Sequence, residues 1–185
     1  MNIIYLLLTL FLNLSQAQKQ SVITPVEYFT GTVSEYNHLK KLKKQEILLN
    51  RQDVISYVSP KDDEQDLQDL LDQYKEQGVL LKSKNNTKHF AGHQEGSFGK
   101  IIKLKTGDKI DVADELGLIS NYTVVKVEDF KLVNLGRGGI PKDKKDTQRL
   151  IDLLNSKDSL ILQTCTYVTE NGYDVRFVLA KKDEV

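Results

Sequence analysis

The sequence predicts a mainly β protein: one barrel- or sandwich-type domain with one or two short helices, behind an N-terminal leader and tether. Three observations predict it. From residue 79 onward, short runs rich in Val, Ile, Leu, Phe and Tyr recur between Gly, Asn, Asp and Lys turns. Only two clear stretches beyond residue 52, within 59–78 and 146–156, place leucines at helical spacing. The first 18 residues differ in composition from everything that follows. At 185 residues the chain is long enough for one domain with a real core and too short for two full-sized ones.

Residues 3–14 form an almost uncharged apolar run, followed by Ser15, Gln16 and Ala17. The pattern reads as a secretory signal over 1–17 with cleavage after Ala17. The competing reading is a short, uncleaved membrane-targeting segment. This 12-residue run falls below the roughly 20 that span a bilayer as a helix, and no Lys or Arg precedes it. Residues 18–50 read as a tether. Within it 34–52 is helix-capable, Ser34 is a cap candidate, and Lys40, Lys41, Lys43 and Lys44 form a basic cluster.

A composition shift near Arg51 opens the domain, read as 51–185. Residues 53–58 are a strand candidate. The next stretch predicts a helix, with Ser59 as cap, Pro60 in the first turn and acids near the positive end of the helix dipole. Leu67, Leu70, Leu71 and Tyr74 form its apolar stripe, and Gly78 ends it. Strands are predicted over 79–83, 88–93, 98–104, 109–114, 122–133, 160–168 and 173–180. Gly107 and Asp108 bend a hairpin between the third and fourth of these. One short helix interrupts the series, with Asp146 as cap and Leu150, Ile151, Leu153 and Leu154 as its buried side. The Gly- and Lys-rich stretch 134–146 before it reads as a loop.

Composition excludes some functions. Lys+Arg and Asp+Glu are equal at 26 each, so no global charge recruits nucleic acid or an anionic membrane. Three His and one Cys supply too few ligands for a structural zinc site, and no metal is expected. The single cysteine, Cys165, cannot form an internal disulfide. In an exported chain that leaves an intermolecular bridge, a reactive thiol, or an inert buried Cys.

A nucleophilic thiolate needs a cation or base beside it. His93 follows a Gly at a strand end and precedes a polar loop, where a ring can face a cleft. His89 lies within the strand and reads as structural, and His38 lies in the tether. Arg176 alternates with Val175, Phe177 and Leu179, which puts it on one face with Val178 and Ala180. An Arg between apolar neighbours requires an anionic or carbonyl partner; an Asp such as Asp174 is one choice. A turn at 170–172 brings the Cys165 and Arg176 strands alongside one another.

These residues carry a family resemblance. Leu162, Thr164 and Cys165 resemble the Leu-x-Thr-Cys signature of sortases. The stretch 90–112 resembles their Ala-Gly-His segment with its Gly-Asp bend, and 175–182 is similar to the strand bearing the sortase arginine. The motifs occur in family order over about 79–182. The resemblance implies an eight-stranded β-barrel and a cysteine transpeptidase of Gram-positive surfaces, exported to the outer face of the membrane or secreted. It implies Cys165 as nucleophile, His93 as general acid/base, Arg176 as oxyanion or substrate-holding group, and Thr164 as a residue shaping the site. Such enzymes cut a Leu-Pro-x-Thr-Gly-type signal between Thr and Gly through a thioester. They pass the acyl part to an amine, on lipid II or a pilin Lys, without metal or organic cofactor. The family's Pro-containing first strands are not recognisable here; an acidic helix occupies that region. Two other readings stay open. One is a Cys/His cell-wall peptidase, although such enzymes place the Cys before the His and at a helix start. The other is a catalytically inactive barrel that binds or scaffolds surface proteins.

Overall fold

Eight strands hydrogen-bond in a closed ring in the computed structural model, which describes residues 42–60, 67–81, 86–134, 139–169 and 172–184. These belong to one compact unit, His38–Val185. The leader, and the tether as far as residue 41, lie outside the described residues. In chain order the elements are β1 (Glu46–Leu49), β2 (Asp53–Val58), α1 (Leu67–Gln73), β3 (Gly78–Leu81) and β4 (Lys88–Gly92). A 3₁₀ helix (Ser97–Lys103) follows, then β5 (Lys109–Ala113), β6 (Ile119–Asn134), β7 (Gly139–Pro141), α2 (Lys144–Leu154), β8 (Ser159–Thr169) and β9 (Gly172–Lys182). Around the ring the order is β5-β1-β2-β3-β4-β8-β9-β6, and β6 pairs back onto β5; β7 flanks β6 as a ninth strand. The expected mainly β, eight-stranded barrel is what the chain forms.

Closure divides the core in two. The interior holds Ile47, Ile55, Phe90, Phe98, Ile101, Ile110, Val124, Leu160, Leu162, Val178 and Ala180. A second cluster lies on the outer face of β6, β8 and β9 beneath α2: Phe130, Leu132, Leu153, Ile161, Val175, Phe177 and Leu179. Side-chain alternation along β8 and β9 therefore assigns each residue to the interior or to the outer face. β6 pairs with β5 at one end of one edge and with β9 along its other edge, where a bulge at Val125 shifts the β6–β9 register and increases the local twist.

Several local expectations change. Residues 46–49 sit in the stretch read as helix-capable tether, yet they form β1, paired to both β2 and β5. The barrel thus begins before residue 51. Residues 98–104, read as a strand, are instead mostly 3₁₀ helix. Phe98, Ile101 and Leu104 are all buried, and a spacing of three eclipses side chains on a 3₁₀ helix. The Gly107–Asp108 bend accordingly joins this helix, not a strand, to β5, with Gly107 at φ +94°. Gly78, read as the end of the acidic helix, opens β3; α1 ends at Gln73. The beginning of that predicted helix, 61–66, lies outside the described residues. In α2 the cap is Asp143 rather than Asp146: its carboxylate accepts from the backbone N–H groups of Lys145 and Asp146. Of the four residues read as the buried side, Leu153 is fully covered and Leu150 packs at the edge; Ile151 and Leu154 face solvent.

Candidate active site

The site is organised by a parallel pair of strands. β4 and β8 align Gly92 with Thr164, so the residues that follow, His93 and Cys165, leave the ladder side by side. Three contacts stitch these ends together. The buried Thr164 hydroxyl donates to the Gly92 carbonyl at 2.8 Å. Gln94, its amide orientation assigned from the hydrogen bonds it permits, donates to the carbonyls of Cys165 and Thr166, each at 2.9 Å. Glu95 stands close enough to act on the thiol electrostatically. Beyond Cys165 the β8–β9 register slips, with Cys165 opposite Val175 and Tyr167 opposite Asp174. The extra residue, Thr166, bends the strand directly after the thiol.

Gly92 has a packing reason. The ring of Phe98, from the 3₁₀ helix, fills the space that side chains on Gly78 and Gly92 would take. A Cβ at Gly92 would lie 2.5 Å from Phe98 Cγ. Phe98 is itself fully buried, so the two glycines and one aromatic ring fix the height of the strand end that carries His93.

Cys165 is partly buried against the outer cluster under α2. Burial pushes its thiol above the ordinary value, and the Glu95 carboxylate adds to the rise. The free thiol is thus protonated at neutral pH in this arrangement. The His93 ring is turned to α1, where Nε2 meets Asp72 Oδ1 at 3.0 Å. His89 keeps a structural environment: it bonds Gln163 at 2.9 Å, and burial lowers its pKa to about 4.

Arg176 lies opposite Thr164, one residue pair from Cys165, on the face with Val178 and Ala180. That is the face expected from alternation. The same alternation sends Cys165 to the outer face and Arg176 toward the barrel interior. The strands bring the two backbones together; the register directs the two side chains apart. The Arg176 partner is not Asp174 but Asp129, its cross-strand neighbour on β6. Nε and Nη2 donate to the two Asp129 oxygens at 2.8 and 2.7 Å, and Nη1 donates to the Ile102 carbonyl. These bonds hold the Asp129 carboxyl below its usual range and raise the guanidinium further.

Asp72, Gln94, Glu95 and Asp129 were not readable as site residues. Glu95 and Gln94 had a weak signal, being beside His93. Asp72 and Asp129 had none, since each reaches its partner only through tertiary contact.

A family model described as the sortase domain matches residues 47–183. The chain belongs to the sortase family. Among solved structures it is similar to Streptococcus agalactiae sortase C1, crystallised in complex with MTSET. The two share 16% identity at a TM-score of 0.50, over 78% of this chain and 70% of that one. It is likewise similar to sortase C-1 from Streptococcus pneumoniae, at 18% identity and a TM-score of 0.50 over 76% and 67% of the two chains. Identities this low establish the shared fold. No curated protein matches the sequence.

Proposed function

We propose that this protein is a sortase-type cysteine transpeptidase that cleaves a Leu-Pro-x-Thr-Gly-type signal between Thr and Gly. The observation that carries the reading is the β4–β8 register, which sets His93 and Cys165 side by side at one barrel rim. The steps follow from group chemistry. The Cys165 proton passes to the His93 imidazole and the thiolate attacks the Thr carbonyl. The C–N bond to Gly breaks as the imidazolium protonates the departing amine, leaving a thioester on Sγ. An incoming amine, on lipid II or a pilin Lys, then displaces the thiol, which recovers its proton. Thr164 holds the strand ends in register. No metal or organic cofactor takes part.

Arg176 completes the reading as the cation that holds the substrate carbonyl or its oxyanion, since guanidinium keeps its charge at any working pH. For that role the guanidinium must turn from Asp129 and Ile102 toward the outer rim. His93 must likewise turn from Asp72. The same resting contacts favour a second reading, a binding barrel without turnover: each charged partner is occupied, and the thiol is held protonated.

The test is mass spectrometry of the full chain incubated with a Leu-Pro-x-Thr-Gly peptide library. The transpeptidase reading expects an adduct on Cys165 that hydroxylamine releases, absent in Cys165→Ala and strongly reduced in His93→Ala and Arg176→Ala. Peptide binding without any adduct establishes the second reading instead. An Arg176→Ala protein as active as wild type removes Arg176 from the mechanism.

A further inference from the structure

The turn between β5 and β6 presents apolar side chains to solvent. Leu116 is 75% exposed, Leu118 64% and Ile119 38%. Folding gains nothing from leucines at a turn tip, and clustered exposure of this kind marks a contact surface. The turn is built rigidly. Asp114 Oδ1 accepts from the N–H of Leu116 at 2.9 Å and of Leu118 at 2.8 Å. The Asp114 N–H donates to the Leu118 carbonyl, and the Gly117 N–H to the Asp114 carbonyl, each at 3.0 Å. Gly117 supplies the positive φ, +87°, that closes the loop. Four backbone N–H groups are thereby satisfied from within, which is what a segment entering an apolar phase requires.

Cations surround it. Lys44 passes the turn, within 3.6 Å of where a Cβ on Gly117 would stand. Lys43 precedes it, and Lys88 is within electrostatic reach of Asp114 and of Lys182. Three acids stand among these lysines: Asp114, which accepts the turn N–H groups and attracts Lys88, Glu46, which accepts the Lys43 N–H, and Glu115 on the turn itself. The chain also arrives here: the Gln45 N–H donates to the Asp114 carbonyl, and 41 residues precede Leu42, with their apolar run at 3–14.

We infer that the Leu116–Leu118–Ile119 turn is a membrane-contact element, lodging its apolar side chains at the headgroup–acyl boundary of an anionic bilayer while the lysines meet lipid phosphates. A lipid surface fits better than a protein partner. Three side chains at a turn tip cannot bury the roughly 800 Å² per partner of a standard protein interface. Shallow insertion needs only their own area and neighbouring cations.

The chain contains no Trp, so Leu118→Trp gives the full-length protein a single indole at the turn. With vesicles of phosphatidylglycerol and phosphatidylcholine, its emission is expected to shift to shorter wavelength. Brominated lipid should quench it about two-fold or more beyond an indole at Ile140, an exposed site on β7. Leu116→Trp replaces it if the first variant unfolds. An unshifted indole at 118 while the protein sediments with vesicles would mean that other segments bind lipid, and overturns the inference. Equal quenching at 118 and 140 overturns it too. An equal shift on pure phosphatidylcholine removes the role of the lysines.

Discussion

Replacing Gly92 by Ala tests how the rim is built. The added methyl would sit 2.5 Å from Phe98 Cγ and 2.6 Å from its Cβ. Those atoms lie at the root of a fully buried ring, which cannot swing aside as the tip of a flexible side chain can. Overpacking of this kind costs about 1–3 kcal/mol. For a domain of this size about 2 kcal/mol lowers Tm by roughly 4–8 °C. Gly92 also carries the carbonyl bonded by Thr164 and is followed by His93, so the same displacement should lower adduct formation on Cys165. The assay is urea unfolding of Gly92→Ala, Phe98→Ala and the double variant, alongside the peptide adduct yield. Phe98→Ala removes Cγ and the whole ring beyond it, leaving only the Cβ contact, so the double variant is expected to be more stable than the sum of the single losses by about 1 kcal/mol. A Gly92→Ala protein within about 0.5 kcal/mol of wild type, or strictly additive losses, would refute the argument that Phe98 holds the His93 strand end.

Two further predictions concern titration. His89 has a folded pKa of about 4 against an ordinary 6.5, so the unfolded chain takes up the proton first as pH falls. Its contribution is complete above pH 6.5 and is lost as pH drops toward 4, by up to about 3 kcal/mol. His89→Gln should flatten stability against pH over that window, and an unchanged slope in denaturant titrations at pH 7 and pH 4.5 refutes it. For the thiol, iodoacetamide alkylation of Cys165 should inflect above the range of a free cysteine, and Glu95→Gln should move the inflection down; no movement would show that Glu95 does not act on the sulfur.

The length of strand runs, their alternation and their turn residues made the barrel class readable, because a strand's two faces impose a period of two on side chains that must be buried. Phe98, Ile101 and Leu104 show where that failed. Their spacing of three was present in the sequence, but a short apolar run cannot declare its period until something packs against it. Residues 46–49 became β1 because β2 and β5 offered unpaired edges on both sides, a demand no local propensity in a Lys- and Leu-rich stretch expresses.

For the site, the sequence by itself determined which groups are available: one thiol, a histidine at a strand end, and an arginine assigned by alternation to the face of Val178 and Ala180. Only the tertiary structure decided what each group meets. The parallel β4–β8 register set His93 beside Cys165, while the packing of α1 brought Asp72 to the imidazole and the β6–β9 pairing brought Asp129 to the guanidinium. Those two carboxylates lie 21 and 47 positions from their partners. Contacts at such separations depend on which strands become neighbours, and that is settled by burying the whole core at once.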